Sequence, residues 1–542
     1  MAYRSERKRR AARDAPSTGV VADMVRQFAD KYAFLRELVQ NSIDAGATRL
    51  RVEVTRGGDD TVLTSVLDDG TGMTADTMES ALLTLFSSTK EGDSGAIGKY
   101  GVGFVSVLAI APEEVNVDTW RDGARHRLRL LPDHSWELAP LGGTDGHGTR
   151  VTLTTRADSD AFAAHVAAVR TALRRWCGHA RVPIELCTPR STETHLERID
   201  APMAVDALVS VRVERDGATL VLGAGARAPE AAFYSRGLLL LATHNSFDGL
   251  EQLTFKVDSA RLAHTLSRDD VRRDAAFDSV LAELRRVART ELRQALVEAL
   301  ATAARAAAAG EPAQEHAQLF ALGRAAPFTL RDDELWVPLC DPSASARVAT
   351  LATLERARPR RRPALLATRP DLLTALLANA GRPVAWLRDD LARRTFAEHF
   401  GQRTVANAHD VFVALAPVES RESDAALLGA IESCLEAAGY PARSAVLTTR
   451  VGRACGHVGY FVSDPLPCVF ESARLLGGGT RGTTLALDAD HALVRLAREH
   501  ASTDARVAGH LLTRLVLLDA EGTTPARRNE ALLLHAAREP RP

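Results

Sequence analysis

The spacing of apolar residues in the first third of the chain changes repeatedly between a helical and a strand-like period. Apolar side chains recur at helical spacing over residues 21–39, which predicts one or two amphipathic helices. Residues 50–54 alternate in polarity and 62–67 form a second candidate strand. A β-branched strand is predicted over 150–154, followed by a helix over 161–177. This mixture favours an α+β fold.

Three prolines, Pro183, Pro189 and Pro202, interrupt the pattern and predict a first domain boundary near 181–202. Beyond it, the spacing predicts strands over 208–222 and 232–242, a long helix over 277–309, two strands around a helix over 363–387, and helices over 425–438, 493–498, 505–518 and from 526 onward. The chain is therefore expected to be an α+β multidomain protein.

Length and composition are those of a globular protein. The 542 residues suffice for about three or four domains, and 46% of them are hydrophobic. The 68 basic and 69 acidic side chains give a formal net charge of −1, which argues against a protein that coats nucleic acid. The six cysteines contain no CxxC pair, which argues against a zinc ribbon or a disulfide framework and fits a reducing cytosol.

Together with the cysteine spacing, the hydropathy of the chain predicts a cytoplasmic protein without a membrane partner. No run of about 18 apolar residues occurs, so no membrane-spanning helix is expected. The basic N-terminal segment has no apolar stretch behind it, so residues 1–19 are predicted to be a disordered arm rather than a secretory signal.

A polar helix face in the segment FLRELVQNSIDAGATRLRVEV, residues 34–54, is the first candidate site. Glu37, Asn41 and Asp44 are spaced four and three residues apart, so they share one face. Asn41 offers the oxygen ligand that Mg²⁺ prefers, alongside phosphate oxygens. Glu37, one turn away, is suited to orienting and deprotonating a water molecule. Taken alone, the same face could be solvated polar surface.

A strand that ends in the segment LDDGTGM, residues 67–73, is the second candidate. Gly70 and Gly72 allow a ligand to approach the backbone closely. A carboxylate here could accept a hydrogen bond from the exocyclic amine of adenine. Asp68 is preferred to Asp69 for this role because it begins the DxGxG spacing.

A glycine-rich segment, SSTKEGDSGAIGKYGVGFVSV at residues 87–107, is the third candidate. Its GxxGxG spacing leads into an apolar helix, and amides at a helix N-terminus favour phosphate. Lys90 and Lys99 are the nearby cations. The fourth segment is GTRVTL, residues 148–153, in which Thr149 offers a hydroxyl.

The order and spacing of these four segments resemble the GHKL ATPase superfamily, which includes heat-shock protein 90 chaperones, the ATPase subunit of DNA gyrase, MutL and histidine kinases. The resemblance implies a Bergerat-type α/β sandwich that binds ATP and Mg under a lid, here over 84–96. It implies that Glu37 is the general base and that Asn41 is the magnesium ligand. The other residues that it places around the nucleotide are Asp44, Asp68, Gly70, Gly72, Met73, Lys90, Gly98, Lys99, Tyr100, Gly101, Val102, Gly103, Phe104 and Thr149.

Residues 233–274 are similar to the middle domain of the heat-shock protein 90 family, with an arginine-glycine strand followed by a VDS…L…SR segment. The resemblance implies that Arg268, in the loop 258–274, reaches the γ-phosphate when the lid closes. An arginine supplied by a second domain stabilises transition-state charge only in the closed form. By composition alone, Arg268 would be a surface arginine in a loop of basic and acidic residues.

Residues 485–518 resemble the dimerisation helices of the same family. The implied division is an ATPase domain over 20–190, an α/β middle domain over 200–430 and a helical or α+β dimerisation domain over 435–542. The implied protein is a homodimeric, ATP-hydrolysing chaperone that remodels client proteins.

Two other functions stay open at this point: a MutL-like clamp on DNA and a nucleotide-gated interaction protein without catalysis. The chain has no evident nuclease metal cluster and no strong basic stripe beyond residues 4–13, so nucleic acid is not expected as a partner. Glu37 and Arg268 argue against a non-catalytic protein. The short lid, and Thr265 and Arg272 in place of the family's amides, leave lid closure open.

Overall fold

The chain forms two compact units, residues 1–292 and 293–542. The computed structural model describes residues 8–10, 30–58, 60–83, 103–142, 146–190, 193–265, 270–325, 327–340, 347–453, 456–472, 482–521 and 526–538. Within these residues, no helix combines the length and apolar character that crossing a bilayer requires.

A mixed nine-stranded sheet opens the first unit. Its strands, in chain order, are β1 (Lys8–Arg10), β2 (Leu50–Arg56), β3 (Thr61–Asp68), β4 (Glu114–Arg121), β5 (Ala124–Leu130), β6 (Trp136–Leu141), β7 (Gly148–Arg156), β8 (Ile184–Arg190) and β9 (Glu193–Arg198). They lie in the order β1-β6-β5-β4-β7-β3-β2-β8-β9. The β2–β8 pair is parallel and the other neighbouring pairs are antiparallel.

Three main helical segments pack against this sheet: α1 (Phe34–Asp44), a 3-10 helix (Phe104–Ile110) and α3 (Ser159–Cys177). A short helix, α2 (Ala75–Met78), continues as the π-helix Glu79–Leu83. Alternate strand residues such as Val52 and Val66 are buried in one core with Phe34 and Leu173 of the helices. The burial of one strand face explains the period-two pattern read from the sequence.

The N-terminal arm differs from the prediction of a disordered segment over 1–19. Residues 8–10 form β1, which pairs antiparallel with β6, with Lys8 opposite Leu138 and Arg10 opposite Trp136. An edge strand exposes unpaired backbone groups, and β1 pairs with residues 136–138 of β6.

A second, five-stranded sheet completes the first unit. Its strands are β10 (Val209–Arg215), β11 (Ala218–Ala224), β12 (Glu230–Ser235), β13 (Leu238–His244) and β14 (Leu253–Ser259), in the order β10-β11-β14-β12-β13. The strands predicted over 208–222 and 232–242 are present, and each range forms two strands of a hairpin. The turn residues Asp216, Gly217, Arg236 and Gly237 all have positive φ, which suits tight hairpin turns. Helix α4 (Ala275–Val287) follows and ends in the π-helix Ala288–Leu292.

The second unit contains helices and three small sheets. Its helices are α5 (Arg293–Ala308), α6 (Gln314–Arg324), α7 (Leu351–Ala357), α8 (Leu372–Asn379), α9 (Asp390–Phe400), α10 (Ala408–Val411), α11 (Glu422–Ala437), α12 (Ala492–Glu521) and α13 (Ala526–Arg538). Its strands are β15 (Trp336–Pro338), β16 (Val348–Thr350), β17 (Ala364–Ala367), β18 (Val384–Trp386), β19 (Val405–Asn407), β20 (Phe412–Pro417), β21 (Ser444–Val451), β22 (Gly459–Val462), β23 (Cys468–Glu471) and β24 (Thr484–Asp488).

The C-terminal sheet has the order β22-β24-β21-β20-β23, and α11, α12 and α13 share its core. The helices expected over 425–438, 505–518 and from 526 are present, and α12 changes direction at Asp504, which has non-helical dihedral angles. Helix α11 runs across residues 430–435, so no break in secondary structure marks the boundary predicted there.

Candidate functional site

Helix α1 carries the three polar residues singled out by their spacing, and the fold gives them different environments. Its first two turns are buried against the core, and Glu37 is only 4% exposed. Asn41 and Asp44, one and two turns further on, are exposed to solvent. This face of α1 therefore presents a buried carboxylate at Glu37, and an accessible amide and carboxylate at Asn41 and Asp44.

Glu37 forms a buried ion pair with the preceding residue. Arg36 Nη2 lies 3.1 Å from Glu37 Oε1, and both side chains are almost fully buried. The Arg36 guanidinium also stacks 4.9 Å from the ring centre of Trp176 on α3. Burial disfavours the charged form of a side chain. It therefore lowers the pKa of Arg36 and raises the pKa of the neighbouring Cys177 thiol to about 12. A buried charge needs such a partner because desolvation is costly.

Asp68, at the end of β3, is held by three hydrogen bonds. Its Oδ2 accepts from the Ser42 hydroxyl at 2.9 Å, and its Oδ1 accepts from the amides of Gly70 at 2.9 Å and Thr149 at 3.2 Å. Burial raises the pKa of Asp68, although these hydrogen bonds act in the opposite direction. The carboxylate is thus fixed in place between α1, β3 and β7 while it stays partly accessible.

Asp69 has a different role in the fold. Its two oxygens accept hydrogen bonds from the backbone and hydroxyl of Thr48 and from the amide of Arg49. Burial acts to raise the pKa of Asp69, but these hydrogen bonds outweigh it, and the pKa lies below its usual value. Asp69 therefore secures the turn before β2.

Glycines let three backbone segments meet beside Asp68. A Cβ on Gly72, which has φ +65°, would lie 2.1 Å from the Trp120 carbonyl oxygen. A Cβ on Gly148, which has φ +104°, would lie 2.1 Å from the Asp68 carbonyl oxygen. At Gly70, a Cβ would lie 3.0 Å from Asp68 Oδ1, so the missing side chain keeps the space next to this carboxylate open.

Two threonines on neighbouring strands extend this polar cluster. The Met73 amide donates to Thr119 Oγ1 at 2.7 Å, and Thr119 Oγ1 lies 3.4 Å from Thr149 Oγ1. Both hydroxyl groups belong to buried residues, on β4 and β7 respectively. The structure thus brings the predicted residues Met73 and Thr149 together through Thr119, which the sequence motifs did not include.

The sequence motifs also missed Ser42 and Arg236. Ser42 lies inside the α1 motif, and its helical spacing of four from Leu38 gives it the same buried face. Arg236, at the tip of the β12–β13 hairpin, forms an ion pair with Asp44. The arginine-glycine turn was the only sequence signal for Arg236, and nothing in that signal pointed to Asp44.

Part of the predicted site lies outside the described residues: the lid over 84–96, Lys90, Gly98, Lys99, Tyr100, Gly101, Val102 and Arg268. Of the glycine-rich segment, Gly103 is described as the residue before the 3-10 helix, and the Ser106 hydroxyl donates to its carbonyl oxygen. Phe104 is buried in the core of the first sheet.

Residues 32–134 match the family described as histidine kinase-, DNA gyrase B-, and HSP90-like ATPase. The chaperone protein HtpG of Anaplasma phagocytophilum is 34% identical over 164 residues, covering 25% of this chain and 25% of that protein. HtpG of Nitrobacter winogradskyi is 30% identical over 191 residues, covering 29% and 30%. HtpG of Shigella dysenteriae serotype 1 is 29% identical over 216 residues, covering 33% and 34%.

The chain therefore spans about a quarter to a third of the length of these curated relatives. The matches confirm the resemblance to the GHKL superfamily and to the heat-shock protein 90 family that the motifs indicated.

Proposed function

We propose that this divergent HtpG-like protein, whose N-terminal domain is of the GHKL ATPase type, is an ATP-dependent molecular chaperone. The observation that carries the proposal is the meeting of α1 with the Asp68 cluster. A buried acid, an exposed amide and a fixed, partly accessible carboxylate lie on adjoining elements of one domain.

In this proposal, each described residue has a defined task. Asp68, held by Ser42 and two amides, accepts a hydrogen bond from the adenine amine. Glu37 orients the attacking water and takes its proton. Asn41, exposed one turn further along α1, holds the magnesium ion. Bound Mg²⁺ would offset the negative charge of the phosphates.

Arg268, which lies outside the described residues, is proposed to complete the site. In the sequence, the segment that contains Arg268 follows β14, and Asp258 lies on β14. Asp258 accepts hydrogen bonds from Arg181 and from the Gly237 amide, so this strand is tied both to the segment after α3 and to the β12–β13 turn. A fixed strand at this point would give the arginine loop a defined starting position.

A homodimer is proposed through α12 and α13. Leucine and valine side chains at spacings of four, four and three residues are exposed along α12: Val507, Leu511, Leu515 and Leu518. Leu533 and Leu534 on α13 are also about half exposed. A row of exposed apolar side chains on one helix face favours a partner surface, and a second copy of the chain supplies the matching one.

The general-base assignment is tested with Glu37→Gln. The variant is expected to bind ATP as the wild type does and to lose at least about 100-fold in turnover, because the proton acceptor is gone. Asp133→Asn, the same carboxylate-to-amide change at an exposed position between β5 and β6, is the control and should keep its turnover. Unchanged hydrolysis by Glu37→Gln would contradict the assignment.

The chaperone and dimer proposals need separate measurements. Leu511→Glu/Leu515→Glu should sediment as a monomer, whereas Leu196→Glu, at an exposed leucine on β9, should not change the sedimentation coefficient. Wild-type turnover should respond to a denatured client protein. Stimulation by duplex DNA with no response to a client would instead favour the MutL-like alternative.

A further inference from the structure

The three-stranded sheet of the second unit is fully parallel. Strands β18 and β19 flank β17, and both pair with it in parallel register. The amino ends of parallel strands lie at the same edge of a sheet, so the chain segments that enter the three strands meet there. These segments end at residues 363, 383 and 404.

Arginines precede all three strands at this edge. The arginine edge, as we name it, consists of Arg358, Arg360, Arg361 and Arg362 before β17, Arg382 before β18, and Arg403 before β19. Two acids pair with members of this edge in the described part of the chain. Glu355 pairs with Arg358, and Glu471 pairs with Arg362 and Arg382.

Three members of the edge have no acid to neutralise them among the described residues. Arg360, Arg361 and Arg403 are exposed and form no ion pair or hydrogen bond there through their side chains. Among the described residues, the six guanidinium groups of the edge therefore have two carboxylates as ion-pair partners. Charges of one sign gathered in this way attract an oppositely charged partner from solution.

An apolar cleft lies beside two of these guanidinium groups, those of Arg358 and Arg382. The cleft is lined by apolar side chains and by the same two arginines. The apolar residues are Leu354, Pro359, Pro363, Pro383 and Phe396. The Arg382 guanidinium is held 4.5 Å from the ring centre of Phe412, and that of Arg358 is held 5.9 Å from the ring centre of Phe400. Stacking on aromatic rings limits the freedom of these two cations.

We propose that the arginine edge binds an acidic polypeptide segment whose carboxylates flank an aliphatic side chain. Guanidinium groups pair with carboxylates through two parallel hydrogen bonds, and the proline-lined cleft fits an aliphatic side chain. Single-stranded nucleic acid fits less well, because bases need exposed aromatic rings for stacking. Phe396 and Phe412 at this edge are buried, and the half-buried Phe400 is already stacked by Arg358.

The proposal does not depend on the nucleotide site, so the two can fail separately. The full-length protein, without nucleotide, is titrated into a fluorescein-labelled, glutamate-rich peptide that contains a central leucine, and anisotropy is recorded. Binding should weaken with added salt. Arg360→Glu/Arg361→Glu should bind at least about 10-fold more weakly, because repulsion replaces attraction.

The matched control is Arg305→Glu/Arg495→Glu, which makes the same change in net charge at exposed arginines of the second unit that are not members of the edge. It should keep the peptide affinity within about twofold. An equal loss in both double variants, or equal affinity for a peptide with glycine in place of leucine, would overturn the proposal. Tighter binding of single-stranded DNA than of the peptide would overturn it as well.

Discussion

Arg236 forms an ion pair with Asp44, and this pair joins the second sheet of the first unit to the last residue of α1. Arg236 lies in a tight turn with φ +53°, and the next residue, Gly237, packs so closely on the His179 carbonyl oxygen that a Cβ would lie 1.9 Å from it. The turn is therefore held by backbone contacts, and the arginine extends from it to the helix that carries Glu37 and Asn41.

A double-mutant cycle measures this link. Arg236→Gln and Asp44→Asn should show a coupling of about 0.2–1 kcal/mol in the free energy of unfolding, because both side chains are roughly half exposed and are screened by water. Urea denaturation at low and high salt is the measurement, and the coupling should shrink as salt rises. Strictly additive effects at low salt would contradict the ion pair.

Removal of Arg36 should be far more costly than removal of Arg236. The Glu37 carboxylate is almost fully buried, and Arg36→Met takes away its 3.1 Å partner. We expect a loss of about 3–5 kcal/mol in the free energy of unfolding. Arg36→Met/Glu37→Gln should recover part of that loss, since the buried carboxylate that had lost its arginine partner is then replaced by a neutral amide. A double variant no more stable than Arg36→Met would argue against this account.

The sequence predicted the elements of the site better than their contacts. The spacing of Glu37, Asn41 and Asp44 indicated α1, and the DxGxG spacing placed Asp68 at the end of a strand. These are local signals, because a helix face and a glycine turn are set by neighbouring residues. The preference for Asp68 over Asp69 also rested on such a local pattern.

The missing parts depend on residues distant in the chain. Thr119 joins the site because β4 pairs with β7 in a register that sets it opposite Thr149. Arg36 is buried because Trp176, on another helix, covers it. Neither register nor helix packing can be read from a single segment, and the two hairpins in the second sheet were missed because their turns require backbone angles that the pattern of polarity does not encode.

Gly148→Ala should destabilise the first unit much more than Gly123→Ala. Both glycines have positive φ, but a Cβ at position 148 would lie 2.1 Å from the Asp68 carbonyl oxygen, whereas position 123 has nothing within 4 Å. The expected loss in the free energy of unfolding is about 1 kcal/mol for Gly123→Ala, from backbone strain alone. For Gly148→Ala we expect more than about 3 kcal/mol. Chemical denaturation compares the two, and equal losses would contradict the close approach.

Acid should destabilise the first unit through His179. Its Nε2 lies 2.9 Å from Lys256 Nζ and its Nδ1 lies 2.9 Å from the Ala201 carbonyl oxygen, so Nδ1 carries the proton and Nε2 accepts from the lysine. Burial lowers the pKa of His179, and the Lys256 ammonium group lowers it further, against the opposing effects of Ala201 and Asp258. Burial also lowers the pKa of Lys256.

The sign of the pH effect follows from this lowered pKa. Above about pH 6.5, the ordinary value for histidine, neither the folded nor the unfolded chain protonates His179 to a large extent. As the pH falls below that value, the unfolded chain takes up the proton first, and stability is lost. The denaturant concentration at the midpoint of unfolding should therefore fall as the pH is lowered from about 7.5 to 5.5. In His179→Gln, this midpoint should change less steeply with pH. His195→Gln, at an exposed histidine on β9, is the control and should leave the slope unchanged. A slope that His179→Gln does not alter would exclude His179 as its source.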